Sequence, residues 1–324
     1  MQALSFPSCG RVEIIELPRP ALRDTGDAIV LVTTAAIGPW DVERFLSVGG
    51  DSVVPGGEFT GIVVEIGADV STLDLDDLVA NTTYHVGSAG KSDLFGSTGL
   101  PGGHAEYVRV PDADSTLTKI SASGEERAVL AGGTVGLGVN AAAIVLANSP
   151  DASVAVVGCD PIGMTALMSL KNAGTGNRLL AVEDHAARKT LASGYASETL
   201  TSSQIQSENP ETKVDIVIIG STREYSGFES VTKLVKNSGS IIFSEPYSAA
   251  RVTEQGIVLP RGVAISAASW PTNEEAKKIV TAIQIRRLDL TPLVSHVIPF
   301  DEAQAAYEAA AEPGPGVQKV LLKP

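Results

Sequence analysis

The chain has 324 residues, 44% of them hydrophobic, which is enough for two domains that each bury their own core. Its 38 acidic residues outnumber the 24 Lys and Arg, and the net charge of −14 disfavours binding to nucleic acid or to an anionic membrane. No apolar run reaches the roughly 18 residues that span a bilayer, and the first residues lack the pattern of a secretion signal. We therefore expect a cytoplasmic protein that acts on small molecules, without nucleic-acid or membrane partners.

The first third of the chain consists of short β-rich runs separated by stretches rich in Gly, Pro, Asp and Ser. These runs cover residues 29–38, 59–67 and 104–110 and predict a compact, mostly antiparallel β domain. The pattern changes near Glu125, where a helical stretch rich in small residues begins.

A regular alternation of strands and helices follows. Near-continuous apolar strands that alternate with helices predict a parallel sheet covered on both faces. The predicted strands of this sheet cover residues 153–158, 178–183, 214–220, 239–246 and 262–269. The last segment predicts helices at 272–287 and 300–312 and a final strand at 317–324.

The stretch Val156–Gly163, VVGCDPIG, has the pattern of a dinucleotide-binding turn between a strand and a helix. In such a turn the first glycine permits the tight bend, the second lets the backbone approach the pyrophosphate, and the third lets the helix pack on the strand. Gly158 and Gly163 fill the first and third places, but Asp160 fills the second. The order Asp160-Pro161 suits a helix start, so this carboxylate is predicted to use the N–H groups that a pyrophosphate would otherwise meet.

An acidic residue, Glu183, ends the next predicted strand 20 residues after Gly163. At that place a carboxylate would bond the adenosine ribose hydroxyls and repel a 2′-phosphate, which favours NAD(H) over NADP(H). Arg188 and Lys189 lie close behind and leave NADP(H) open. The alternative is that Glu183 and Asp184 only begin a turn or cap the next helix.

Five segments carry a resemblance that covers essentially the whole chain: VEIIELPRPAL near the start, VPGGEFTGIVVEIGADV at 54–70, PGGHAEYVRVP at 101–111, VVGCDPIGMTA at 156–166, and LVSHVIPFDEAQAAYEAAAEPGPGVQKVLL toward the end. Together they resemble the medium-chain dehydrogenase/reductase superfamily, which includes zinc alcohol dehydrogenases and quinone reductases. The resemblance implies an α/β fold with a GroES-like β-rich catalytic domain at 1–136 and 269–324 and a Rossmann doubly wound parallel-sheet domain at 137–268. It also implies an NAD(P)-binding cleft between the domains and a homodimer or homotetramer.

The chain departs from the zinc-dependent members at their metal positions. Gly38 and Gly57 stand where those members have Cys and His, and Gly132 lies near their third ligand. Because glycine supplies no side-chain donor and a catalytic zinc needs about three protein ligands, we expect no catalytic zinc. We also expect no structural zinc, because residues 84–103 contain no cysteine. Trp40 and Glu43 stand at the places of the family's proton relay, so oxidation through a zinc alkoxide is not supported.

Zinc-free members of the superfamily reduce conjugated carbonyl compounds largely by proximity and orientation, with a hydrogen-bond donor or water taking the developing charge. Tyr84 or His85 is our prediction for the proton donor or carbonyl-orienting group. Asp41 and Glu58 are further candidates, although the residue types favour, slightly, pairing with a buried Arg or capping of backbone groups. Trp40 would either wall the substrate pocket or pack in the core.

His104 stands where relatives carry a bulky residue, which favours packing over catalysis. The resemblance also places Gln318 where zinc alcohol dehydrogenases carry an Arg that contacts the pyrophosphate. The predicted cofactor-binding residues are Gly158, Asp160, Pro161, Ile162, Gly163, Glu183, Gly220 and Gln318.

Two functions compete. The first is a zinc-independent NAD(P)(H)-dependent oxidoreductase that transfers hydride to or from a small carbonyl, enone or quinone. The second is a catalytically degenerate homologue that acts as a nucleotide-binding sensor or scaffold, which the loss of zinc ligands, relay and middle glycine favours.

Overall fold

The computed structural model describes residues 1–47, 53–82, 84–86, 92–174, 178–205, 212–220, 228–245, 259–312, 314 and 318–324. Its strands are β1 (Gln2–Ser8), β2 (Arg11–Glu16), β3 (Ala28–Ala36), β4 (Glu58–Ile66), β5 (Leu78–Asn81), β6 (Tyr84–Val86), β7 (Ser92–Leu94), β8 (Tyr107–Val110), β9 (Leu117–Lys119), β10 (Val154–Val157), β11 (Leu179–Val182), β12 (Glu198–Leu200), β13 (Val214–Ile219), β14 (Val235–Phe243), β15 (Ala264–Ala267), β16 (Val294–Pro299) and β17 (Lys319–Lys323).

The α-helices are α1 (Pro39–Ser47), α2 (Ala113–Thr116), α3 (Glu125–Ala128), α4 (Thr134–Asn148), α5 (Pro161–Asn172), α6 (Ala186–Ala192), α7 (Phe228–Leu234), α8 (Asn273–Gln284) and α9 (Ala303–Ala311). Short 3₁₀ turns cover Ala122–Gly124, Ser202–Gln204, Thr291–Leu293 and Phe300–Glu302. None of the helices in the described ranges is long and apolar enough to cross a membrane.

The chain forms two compact units, one of Met1–Gly136 with Pro271–Pro324 and one of Leu137–Trp270. The first unit is built on a seven-stranded sheet in the order β16-β17-β3-β4-β5-β9, with β8 also paired to β3. Strand β17 runs parallel to β16 and antiparallel to β3, where Leu321 faces Ala36. The two ends of the chain therefore share one sheet, which brings Lys319 at the start of β17 into the same unit as Glu58.

The second unit contains a six-stranded parallel sheet in the order β12-β11-β10-β13-β14-β15. This is the doubly wound order 3-2-1-4-5-6, and it confirms the parallel sheet expected from the alternating strands and helices. The central strand β10 is buried at all four residues, as its apolar run VAVV requires. Ligands of such sheets bind at the carboxyl ends of the strands.

Element boundaries differ from the sequence expectation in two places. The strand expected at 104–110 begins only at Tyr107, and Ala105 instead forms an isolated bridge with Ala3. The helical stretch expected from Glu125 is split into α3 and α4 around Gly132. A Cβ at Gly132 would lie 2.0 Å from the carbonyl oxygen of Asn81, so the chain passes there too closely for any other residue.

Candidate functional site

The glycine turn of the second unit lies at the carboxyl edge of its sheet, as predicted. Gly158 follows β10 with φ of 80°, a left-handed conformation that favours glycine. A Cβ at Gly163 would lie 1.9 Å from the carbonyl oxygen of Gly158, and a Cβ at Gly220 would lie 2.5 Å from the same oxygen. Three glycines from β10, α5 and the end of β13 therefore converge on one point, which forms a cradle that only bare backbone can line.

Asp160 is the N-cap of α5. Its Oδ1 accepts a hydrogen bond of 2.9 Å from the backbone N–H of Gly163, and Pro161 occupies the first turn of the helix. The carboxylate is 5% exposed, and a Cβ at Gly220 would lie 3.0 Å from its Oδ1. A negative charge thus stands at the positive end of the helix dipole, where an anionic ligand would otherwise bind.

Glu183 also engages the turn through its carboxylate. Its Oε2 accepts from the backbone N–H of Cys159 at 2.7 Å, and its Oε1 accepts from the N–H of His185 at 2.8 Å. The side chain is buried, yet a carboxylate has about four acceptor positions, so capacity remains for hydroxyl donors. Glu183 therefore ties β11 to the glycine turn, a contact that the sequence pattern did not reveal.

Two further side chains at this edge were not expected. Burial raises the pKa of the Cys159 thiol well above its ordinary value, and the nearby carboxylates of Glu183 and Asp160 raise that pKa further. Cys159 is therefore held as an unreactive thiol. Ser244, which follows β14, is fully buried, and its hydroxyl has no hydrogen-bond partner within the described part of the chain. A buried hydroxyl left in this state is expected to bond a ligand or water.

In the first unit, the indole of Trp40 fills the space beside two glycines that the resemblance aligns with zinc ligands. A Cβ at Gly38 would lie 2.6 Å from the ring, and a Cβ at Gly57 would lie 2.3 Å from the indole Nε1. Trp40 comes from α1 and is 9% exposed. The indole therefore occupies the space that a side chain at position 38 or 57 would need.

A buried ion pair lies beside this indole. Lys319 Nζ donates to Glu58 Oε2 at 2.7 Å and to the Thr134 hydroxyl at 2.8 Å, and it lies 5.9 Å from the centroid of the Trp40 ring. Thr134 in turn donates its N–H and its hydroxyl to the carboxylate of Glu58 at 2.5 and 2.9 Å. Burial raises the pKa of Glu58, and the Lys319 ammonium opposes that rise.

Asp41 has a role in holding the backbone. It is fully buried, and its two oxygens accept from the N–H groups of Gly38 at 2.8 Å and Gly56 at 2.9 Å. It thereby joins the start of α1 to the loop before β4. These contacts correspond to the backbone-capping alternative that the sequence left open.

His104 packs in the core of the first unit. Its Nδ1 lies 2.7 Å from the hydroxyl of Tyr307 on α9, and both residues are fully buried. Burial lowers the pKa of His104, although the charge of Asp41 opposes this, and burial raises the pKa of Tyr307 well above its usual value. Both rings are therefore held neutral near pH 7.

Three further predicted residues, Tyr84, His85 and Gln318, have other local surroundings. Tyr84 and His85 are in β6, which pairs only with β7 in a separate two-stranded sheet of the described residues. The side chain of His85 lies outside the described part of the structure. Gln318 precedes β17, and its N–H donates to the Ser295 hydroxyl at 2.9 Å. The positively charged side chain next to it is that of Lys319, the first residue of β17 (KVLLK). A lysine beside the apolar run VLL was the feature of the sequence that could have identified this residue.

No group of three or more His, Cys, Asp or Glu suited to a metal ion occurs among the residues that the structure describes. The fit to a nicotinamide dinucleotide is partial. The glycine cradle, Glu183 and the buried Ser244 hydroxyl, which no described residue bonds, suit it, whereas the Asp160 carboxylate opposes its phosphates.

Comparison with known proteins identifies the type of domain in the β-rich part of the chain. A family model described as the alcohol dehydrogenase GroES-like domain matches residues 24–122. This part of the chain is a GroES-like domain. The resemblance to the medium-chain dehydrogenase/reductase superfamily, including its zinc-type alcohol dehydrogenases, is supported by this match and by the relatives described next.

Zinc-type alcohol dehydrogenase B of Aspergillus flavus is 33% identical over 218 residues, which cover 61% of this chain and 51% of that protein. The matched part thus spans about half of this relative. An uncharacterized zinc-type alcohol dehydrogenase-like protein of Bacillus subtilis is 26% identical over the full length of both chains. Alcohol dehydrogenase TADH from a Thermus species superposes with a TM-score of 0.80 at 22% identity, covering 100% of this chain and 99% of that one. At this identity the superposition shows the fold, a GroES-like domain with a Rossmann-like domain.

Proposed function

We propose that the protein is a zinc-independent NAD(P)(H)-dependent oxidoreductase that transfers hydride to or from a small carbonyl, enone or quinone. The observation that carries this proposal is the glycine cradle with Glu183 at the carboxyl edge of a 3-2-1-4-5-6 sheet, in a chain that also has a GroES-like domain. Zinc-type relatives support the oxidoreductase class.

Zinc independence is supported by the Trp40 indole. Gly38 and Gly57 offer no donor atoms, and the ring occupies the space that ligand side chains at these positions would need. The chemistry proposed here therefore uses hydrogen-bond donors instead of a Lewis acid. When bound, the cofactor supplies or accepts the hydride.

The cofactor would be held by Glu183 on the adenosine ribose, by the backbone around Gly158 and Gly163, and by the residues Ile162 and Gly220 beside them. A carboxylate at the ribose favours NAD(H) because it would repel a 2′-phosphate, and Arg188 keeps NADP(H) as the alternative. For the substrate, Tyr84 or His85 is proposed as orienting group or proton donor, and Trp40 as a planar wall. Asp41 and Glu58 would hold the surrounding backbone and the Lys319 ammonium.

Calorimetric titration of the protein with NADH and, separately, with NADPH tests this function. We expect NADH to bind with micromolar to millimolar affinity, and more tightly than NADPH, because Asp160 weakens the phosphate contact without removing Glu183. Purified protein should then oxidise the bound nicotinamide in the presence of cyclohex-2-enone, a quinone or an aldehyde. Absence of binding by both cofactors at millimolar concentration would refute the oxidoreductase.

The second candidate, a nucleotide-binding sensor or scaffold, is favoured by one specific observation. The N–H groups of Cys159 and Gly163 already donate to the protein's own carboxylates. Cofactor binding without turnover on any carbonyl substrate would select this candidate over the enzyme.

The proposal includes a cytoplasmic homodimer or homotetramer. Both cysteines are free, and Cys9 is exposed, which suits a reducing compartment. Assembly is supported by β15, an edge strand of the described sheet whose four residues are all exposed.

A further inference from the structure

Lys319 is the most deeply buried Lys or Arg among the described residues of the first unit. Its side chain is 3% exposed and that of Glu58 is 0% exposed. An ion pair taken out of water in this way gains little stability over an apolar pair of the same volume, because desolvation offsets the attraction. Stability alone therefore gives no strong reason to place a lysine at the start of β17.

The ammonium is held in a fixed position with donor capacity to spare. Hydrogen bonds within the described residues use two of its three N–H donors, one to Glu58 and one to Thr134. Thr134 is itself fixed by two bonds to Glu58 at the start of α4. A donor fixed in this way needs no reorganisation when negative charge develops next to it.

The surroundings of the ammonium suit a carbonyl group. The Trp40 ring lies 5.9 Å from Nζ and provides a flat apolar surface beside it. The same ring takes the space of side chains at Gly38 and Gly57, so the ammonium and these two positions border the same indole. A planar unsaturated substrate on the indole would place its oxygen within reach of the cation.

We infer that Lys319, in place of Tyr84 or His85, is the catalytic residue whose ammonium donates a hydrogen bond to the substrate carbonyl oxygen and then gives it a proton. This inference rests on the proposed function. The reduced cofactor would supply a hydride with its two electrons. Addition of that hydride to the carbonyl carbon would move the C=O π pair onto the oxygen and lead to an alcohol; addition to the β-carbon of an enone would shift the C=C pair into a new C=C bond at the carbonyl carbon, move the C=O π pair onto the oxygen and lead to an enol. An N–H bond of Lys319 breaks, the O–H bond of the alcohol or enol forms, and the neutral amine regains a proton from water.

Steady-state kinetics of Lys319→Met and Lys319→Arg with NADH and cyclohex-2-enone give the first test. Loss of a preorganised donor costs about 100-fold or more in kcat, so we expect Lys319→Met to lose about that factor with little change in KM. Lys319→Arg keeps a charged hydrogen-bond donor, but a guanidinium does not give up its proton, so we expect kcat to lie between those of the parent and Lys319→Met. The matched control is Lys323→Met on the same strand, which removes a lysine that bonds Thr34, and its kcat should equal that of the parent.

Lys319→Met leaves Glu58 buried without its cation and is prone to misfolding. The double variant Glu58→Gln/Lys319→Met removes both charges and keeps the volume, so its folding, checked by circular dichroism, separates a lost donor from a lost structure. We expect this folded double variant to show the same loss in kcat as Lys319→Met.

A binding measurement gives a readout that needs no turnover. The chain has two tryptophans, so Trp270→Phe leaves Trp40 as the reporter of the site. Benzamide, a planar carbonyl compound, should quench Trp40 fluorescence saturably, and the double variant should raise its Kd about tenfold or more.

The outcomes separate the two proposals. Turnover by the parent with unchanged kcat in the folded double variant overturns the role of Lys319 and leaves the proposed function standing. Absence of turnover with a benzamide Kd that depends on Lys319 refutes the oxidoreductase and supports a carbonyl-binding ammonium. If benzamide quenches both the parent and the double variant with the same Kd, or quenches neither, the inference is overturned.

Discussion

Asp160 is the residue that most affects cofactor affinity in the proposed function. A unit charge about 5 Å from a phosphate costs about 3 kcal/mol at an effective dielectric near 20, which corresponds to roughly a hundredfold in Kd. We expect Asp160→Gly to tighten NADH binding by up to that factor, while the loss of the N-cap bond to Gly163 costs only a few tenths of a kcal/mol. Calorimetric titration with NADH measures the effect.

Asp160→Asn is the control for this prediction, because asparagine caps a helix as well as aspartate but carries no charge. If electrostatic repulsion limits the affinity, both variants bind NADH more tightly. Tightening in Asp160→Gly alone would point to crowding by the side chain, and unchanged affinity in both would contradict our account of the turn.

At the residue scale, the sequence predicted the parts of the site that depend on local pattern. Gly158, Gly163 and Glu183 could be placed because glycine spacing and strand ends are local features. The bond from Cys159 N–H to Glu183 and the pair between Lys319 and Glu58, 261 positions apart, depend on tertiary packing. No spacing rule reveals such contacts, which is why Gln318 was selected instead of the neighbouring Lys319.

At the element scale, the packing of α5 on β10 depends on Gly163. Because an added Cβ would lie 1.9 Å from the Gly158 carbonyl oxygen, Gly163→Ala must move the helix from the strand. We expect a loss of about 3 kcal/mol or more in the free energy of unfolding, at the upper end of overpacking costs. Gly124→Ala is the matched control, since nothing lies within 4 Å of its Cβ position, and it should change stability little. Urea unfolding followed by circular dichroism compares the two, and equal stabilities would contradict the close approach.

Element identity was predicted better than element ends. The apolar runs of β10 and β13 and the Asp160-Pro161 start of α5 gave correct positions because each depends on local propensity. The break between α3 and α4 was missed, since it follows from the approach of Gly132 to the backbone of Asn81 in a distant strand.

At the scale of the whole molecule, β17 pairs with β3 across most of the chain length. Composition and periodicity cannot indicate such a pairing, and only the resemblance to known dehydrogenases suggested it. The parallel sheet of the second unit, by contrast, follows from the alternation of apolar strands with helices.

The proposed homo-oligomer is tested at β15, the edge strand of that sheet among the described residues. Ile265 lies in β15 and is 38% exposed, and an edge strand of this kind is a template for pairing with a second copy. We expect the parent protein to sediment at twice or four times its chain mass of 33.5 kDa, and Ile265→Lys to lower that mass at least by half, because lysine on an edge strand opposes pairing. Ile285→Lys is the control, since Ile285 is 66% exposed in the other unit, and its mass should match the parent. A monomeric parent would exclude the oligomer, and an unchanged mass in Ile265→Lys would move the interface away from β15.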